Sequence, residues 1–163
     1  MARAGSAAPG TPATVALTAA GIAFTAHTYA HDPATTNYGL EAATVLALDP
    51  DRVFKTLLAD AEGRLVVGIV PVTGMLDLKS LAAAVGAKRA VMADPAVAER
   101  KTGYVVGGIS PIGQKTALPT VLDETAALWE TIYVSGGRRG FDIELAPDDL
   151  LRITGGKLAD IAR

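Results

Sequence analysis

Apolar residues along this chain switch between a helical and a strand period, and the switching lays out an alternation of elements. Thr11-Pro12 has the form of an N-cap followed by a first helical residue, and Val15, Ala16, Ala19 and Ala20 share one face before Gly21. That predicts a helix over 12–20. The run 22–30 reads as a strand, Asp32-Pro33-Ala34-Thr35-Thr36-Asn37 as a loop, and 38–48 as a second helix. Two β-rich runs, 53–59 and 64–71, flank Asp60-Ala61-Glu62-Gly63, a hairpin signature. Asp77 then caps a helix over 78–86 that stops on Gly86. A strand near 88–92 and a helix near 94–101 lead into a glycine-rich stretch, and strands follow near 118–122, 131–135 and 141–145. Pro147 opens a helix running to 153, and a short helical tail is expected to close the chain. Helices and strands intermingle, with hairpins among the strands. The expected fold is therefore α/β, a single domain built on a mixed, mostly antiparallel sheet with flanking helices.

Composition narrows the picture. A chain of 163 residues with 50% hydrophobic and 20% charged residues suits one packed domain, and no apolar run reaches the ~20 residues of a membrane span. The first ten residues, rich in Ala, Gly and Pro, lack the apolar segment of a secretory signal and read as a loose tail over 1–10 ahead of a domain over 11–163. Zero cysteines remove disulfides, thiolate nucleophiles and cysteine-based metal sites together, which fits a cytoplasmic protein. A net charge of -2 argues against an extended phosphate-binding surface, so any nucleic-acid contact must be local. The basic pairs Lys88-Arg89, Arg100-Lys101 and Arg138-Arg139 stand well apart along the chain.

Candidate chemistry concentrates in Gly107-Gly108-Ile109-Ser110-Pro111-Ile112-Gly113-Gln114-Lys115-Thr116. Glycines let a ligand approach the main chain, so that several N–H groups can converge on one oxygen or phosphate, the arrangement of an oxyanion hole or anion cradle. It is not a nucleotide P-loop, because Gln114 stands where the pattern requires lysine and Lys115-Thr116 come one residue late. His27 and His31 lie four apart in a segment read as a strand, a separation of about 13 Å, too far to share one ion. Ser110 has neither a nucleophile elbow nor an evident histidine partner. Lys55 differs, because it sits in the β run Val53-Phe54-Lys55-Thr56-Leu57-Leu58 with Phe54 and Thr56 facing the other way. It must reach solvent or a cleft. The segment from Ile132 to Leu145 ends one strand, turns through glycines and two arginines, and starts another.

Taken together and in order, His27-Thr28-Tyr29, His31-Asp32-Pro33, Phe54-Lys55-Thr56-Leu57-Leu58, Lys101 to Pro111 and Tyr133 to Leu145 resemble the YbaK family of bacterial Cys-tRNA(Pro) deacylases, relatives of the editing domain inserted in prolyl-tRNA synthetases. The resemblance runs from Pro12 to Arg163. It implies a mixed α/β fold, a cytoplasmic trans-editing hydrolase acting on cysteine mischarged onto proline tRNA and on Cys-tRNA(Cys), and no metal or organic cofactor. The substrate's own thiol would assist, which gives the reaction a lyase character. The implied partners are the tRNA acceptor end and, transiently, prolyl-tRNA synthetase, with no membrane.

Position by position, the resemblance makes Lys55 the essential lysine, Gly108 the loop glycine facing the scissile carbonyl, and Asp142 the acidic catalytic residue. Tyr29, Tyr38, Thr56, Ser110 and Ser135 match positions lining the pocket, with Gly107, Ile109, Pro111 and Gly136 beside them. Tyr38 stands where close relatives often have phenylalanine and Arg138 where they often have lysine. Two other readings share the fold: a deacylase for another mischarged species such as Ala-tRNA(Pro), and a non-catalytic tRNA or synthetase accessory module.

Overall fold

The computed structural model describes residues 2–3 and 8–163, so half of the tail expected over 1–10 falls outside the described residues. Among the described residues five helices, α1 (Pro12–Ala19), α2 (Tyr38–Val45), α3 (Leu78–Ala84), α4 (Pro95–Thr102) and α5 (Pro147–Thr154), alternate with nine strands. These are β1 (Ala2–Arg3), β2 (Phe24–Thr28), β3 (Phe54–Ala61), β4 (Arg64–Pro71), β5 (Val91–Met92), β6 (Thr120–Asp123), β7 (Ile132–Arg138), β8 (Phe141–Leu145) and β9 (Lys157–Ala159). Local chemistry starts the helices as expected. Thr11, Asn37, Asp77 and Asp94 each accept a first-turn N–H on the side chain, and prolines open α1, α4 and α5. Helix α2 stops at Val45, short of the expected 48, where Ala47 takes a φ of 54° and the Leu48 N–H turns back to the Ala43 carbonyl.

The mixed α/β architecture is as the sequence suggests, and its strands divide into two sheets, in the orders β1-β2-β8-β7 and β5-β3-β4-β6-β9. The hairpin β3–β4 pairs antiparallel from Phe54↔Pro71 to Ala61↔Arg64. The hairpin β7–β8 pairs antiparallel with a bulge between Ser135 and Arg138. An isolated parallel bridge, Val53↔Tyr133, joins the two sheets. Three further sequence expectations are corrected. The strand over 22–30 shortens to Phe24–Thr28, that over 88–92 shortens to Val91–Met92, and the closing helical tail is the strand β9, parallel to β6. The tail extends because Asp123 Oδ1 accepts the N–H groups of Ile161 at 3.0 Å and Ala162 at 2.9 Å while Ile161 is buried in the core.

Alternation along β8 places the functional cleft. Phe141, Ile143 and Leu145 enter the main core with Ile132, Val134, Phe54 and Leu58, so Asp142 and Glu144 project from the opposite face of the sheet. A smaller cluster on that side, Ala42, Ala43, Val53, Val72 and Tyr133, docks α2.

Candidate active site

A cavity of about 470 Å³ opens where β3, the β7–β8 hairpin, the start of α2, the glycine loop and α4 meet. Lys55 reaches it from β3, where it pairs with Val70 while the adjacent Phe54 is buried in the core. Its ammonium has no ion pair or hydrogen bond among the described residues, and partial burial lowers its pKa from the ordinary lysine value. Thr56, expected to face away, also borders the cavity, and its Oγ1 is buried without a hydrogen-bond partner.

Asp142 stands in register with Ser135 on β7 and His27 on β2. It is 6% exposed, and its carboxylate makes no hydrogen bond or ion pair among the described residues. Burial pushes its pKa up from 3.8 to about 7. The Tyr29 hydroxyl is raised well above the ordinary tyrosine value by burial first and then by the carboxylates of Asp142 and Glu41. The floor of the cavity thus holds an unpaired carboxyl and an unpaired ammonium.

The glycine loop supplies another wall. Gly107, at a φ of +87°, and Ile109 line the cavity, and their N–H groups have no partner among the described residues. Gly108 lies behind them, with its own N–H donated to the Val105 carbonyl at 2.8 Å. A Cβ on Gly108 would stand 2.7 Å from Arg138 Cα and 2.9 Å from Arg139 N, so loop and hairpin are packed backbone to backbone. Ser110 is buried and turned inward, its Oγ accepting the Ile112 N–H at 3.2 Å and its carbonyl accepting from Gln114 Nε2 at 3.0 Å.

Of the residues singled out in the sequence, Tyr29, Tyr38, Lys55, Thr56, Gly107, Ile109, Ser135 and Asp142 line the cavity, whereas Gly108, Ser110, Pro111 and Gly136 lie outside its lining. The Gly136 carbonyl accepts from Thr11 Oγ1 at 2.5 Å, and Gly136 abuts the Phe141 ring. Sequence reasoning missed the apolar wall made by Met92, Ala93, Pro95, Ala98 and Val106. The spacing of Pro95 and Ala98 along α4 was its only signal, one that any packed helix gives. The two histidines go to separate carboxylates, His27 Nε2 to Glu144 at 2.9 Å and His31 Nδ1 to Glu41 at 2.7 Å. Among the described residues no three His, Asp or Glu side chains gather to hold a metal.

Comparison with known proteins adds to this geometry. Residues 32–153 match the aminoacyl-tRNA editing domain family. EbsC of Enterococcus faecalis, named as a candidate Cys-tRNA(Pro)/Cys-tRNA(Cys) deacylase, is 44% identical over 121 residues, 73% of this chain and 73% of that protein. A proline–tRNA ligase of Moorella thermoacetica is 34% identical over 73 residues, 45% of this chain and 13% of the ligase. The crystal structure of a candidate trans-editing enzyme for prolyl-tRNA synthetase superposes with a TM-score of 0.79 at 26% identity, covering 93% of this chain and 95% of that one.

Proposed function

Since this chain belongs to the aminoacyl-tRNA editing domain family, we propose that it is a trans-editing deacylase, hydrolysing cysteine mischarged onto proline tRNA and the ester of Cys-tRNA(Cys). The observation that carries this reading is the pair of unpartnered charges, Lys55 and Asp142, facing one cavity. An aminoacyl-tRNA end brings the complement of both. Its α-ammonium suits the Asp142 carboxylate, and the phosphate or ribose of its terminal adenosine suits Lys55. Thr56 Oγ1 and the Ser135 hydroxyl offer hydrogen bonds to the ribose. The free N–H groups of Gly107 and Ile109 would polarise the ester carbonyl, with Gly108 holding the loop in place for them.

The ester is already activated, because its leaving group is one hydroxyl of a vicinal diol, so orientation and carbonyl polarisation suffice without a protein nucleophile. The cysteine sulfur attacks its own carbonyl carbon, a C–S bond forms, and the ester C–O bond breaks. The thiol proton passes to the departing ribose oxygen. Water then opens the resulting four-membered thiolactone to free cysteine. This route explains a choice of cysteine over serine and alanine that a size filter could not make, since small apolar differences discriminate only about 10 to 200-fold. The similarity to part of a proline–tRNA ligase supports a transient partnership with prolyl-tRNA synthetase in the cytoplasm.

Single-turnover deacylation of Cys-, Ser- and Ala-tRNA(Pro) tests the reading. Cys-tRNA(Pro) is expected to be cleaved far faster than Ser-tRNA(Pro), although the side chains differ by one atom, and folded Lys55→Ala protein is expected to cleave neither. Equal rates for the first two would replace the thiol with an activated water, and inertness of the wild type toward all three would overturn the editing assignment.

A further inference from the structure

We infer that Arg139 is a positioning residue, a latch that clamps the glycine loop to Tyr38 and so fixes the mouth of the cavity. Arg139 sits in the β7–β8 turn and is absent from the cavity lining itself. Its Nε and Nη2 both donate to the Val106 carbonyl, at 3.0 and 2.7 Å, and its Cζ lies over the Tyr38 ring, 5.0 Å from the centroid. The peptide is held from the other side too, because the Val106 N–H donates to Glu99 Oε2 of α4 at 2.7 Å. Val106 is thereby pinned at both of its polar atoms, one to α4 and one to the hairpin.

The next residue, Gly107, is what lets the latch close. A Cβ there would stand 2.8 Å from Arg139 Nε and 2.8 Å from both Tyr38 Cε1 and Cε2. Tyr38 is in turn braced by the His31 ring, with centroids 5.6 Å apart, and His31 is fixed by its hydrogen bond to Glu41, which also accepts the Asp32 N–H at 2.8 Å. A chain of contacts therefore runs from the 31–41 segment through Tyr38 and Arg139 to the loop carrying the free N–H groups of Gly107 and Ile109. No carboxylate pairs with Arg139 among the described residues. What engages it is a forked pair of donors on one oxygen together with a cation–π contact to Tyr38, and lysine lacks the fork.

The test is a double-mutant cycle on the full chain, resting on the deacylase reading for its kinetic arm and independent of it for its structural arm. Arg139→Ala is expected to lower kcat/KM for Cys-tRNA(Pro) about tenfold, a fraction of what a charged hydrogen bond and an exposed cation–π contact are worth together, because the Val106 peptide keeps its anchor on Glu99. Arg139→Lys should recover only part of that loss, and Arg139→Ala combined with Tyr38→Leu should be little worse than the worse single variant. Amide hydrogen exchange over 105–110 should accelerate in Arg139→Ala while the thermal midpoint holds. Full rescue by lysine, strictly additive losses, or unchanged exchange would each overturn the latch. If the wild type deacylates nothing, the editing reading fails, and the exchange measurement alone decides the latch.

Discussion

The Asp142 carboxyl is the residue whose chemistry depends most on its surroundings. Folding raises its pKa from 3.8 to about 7 by burial, so the native protein binds this proton more tightly than the unfolded chain does. The stability it contributes is full below pH 3.8 and is lost progressively as pH rises to about 7. Asp142→Asn removes the titrating group. It should therefore stabilise the protein at pH 8 by about 2 kcal/mol, a figure that discounts the full shift because the cavity admits water, and the gain should vanish at pH 4. Urea unfolding of both proteins at the two pH values measures this. The same titration should appear in activity, with kcat/KM of the wild type rising through about pH 7 and Asp142→Asn nearly inactive throughout. Parallel pH–stability curves for the two proteins would show that Asp142 is ionised in an ordinary way. The residue type was legible in the sequence, but its isolation from any partner came only from the register that sets it beside Ser135 and His27.

Elements meet at this site through backbone. Because the atoms opposing a Cβ on Gly108 are Arg138 Cα, Arg138 C and Arg139 N, no flexible side chain can move aside, and Gly108→Ala must part the loop from the hairpin. A loss of about 1 to 3 kcal/mol in stability is expected, together with a drop in single-turnover rate of more than tenfold as the Gly107 and Ile109 donors shift. Thermal melts and single-turnover rates on the one variant measure both, and a wild-type rate would make the loop a mere connector. Elements set by local signals were legible in the sequence. The hairpin expected at 53–59 and 64–71 is found at Phe54–Ala61 and Arg64–Pro71, and the capped helices begin where Thr11, Asp77 and Asp94 place them. Strand β9 was not, because three residues carry no period and their extended form depends on β6 and Asp123, more than thirty positions earlier in the chain.

At the scale of the whole molecule, charge decides how the substrate is recognised. The net charge is -2, and one of the six clustered cations, Arg139, is engaged by the Val106 carbonyl and Tyr38. The other five are spread along a chain with no net positive charge, and each neutralised phosphate adds only a salt-dependent increment, so contact should centre on the acceptor end. The protein alone is therefore expected to deacylate Cys-tRNA(Pro) and Cys-tRNA(Cys) with similar efficiency. Added prolyl-tRNA synthetase should shift the preference to the proline tRNA by raising its local concentration. Competition between the two charged tRNAs, with and without synthetase, reads this out, and a strong proline-tRNA preference by the protein alone would reveal an identity-reading surface of its own. The sequence by itself determined most element types and the α/β class, because caps, turns and hydrophobic periods act over a few residues, and it pointed to Lys55 and Asp142 through a family resemblance. Only the tertiary structure decided that the strands split into two sheets joined at Val53 and Tyr133, that Gly107 and Ile109 line the cavity with N–H groups unpartnered among the described residues while Gly108 spends its own on Val105, and that Arg139 spans loop and ring. Each of those depends on register and packing between segments distant along the chain, which no local pattern encodes.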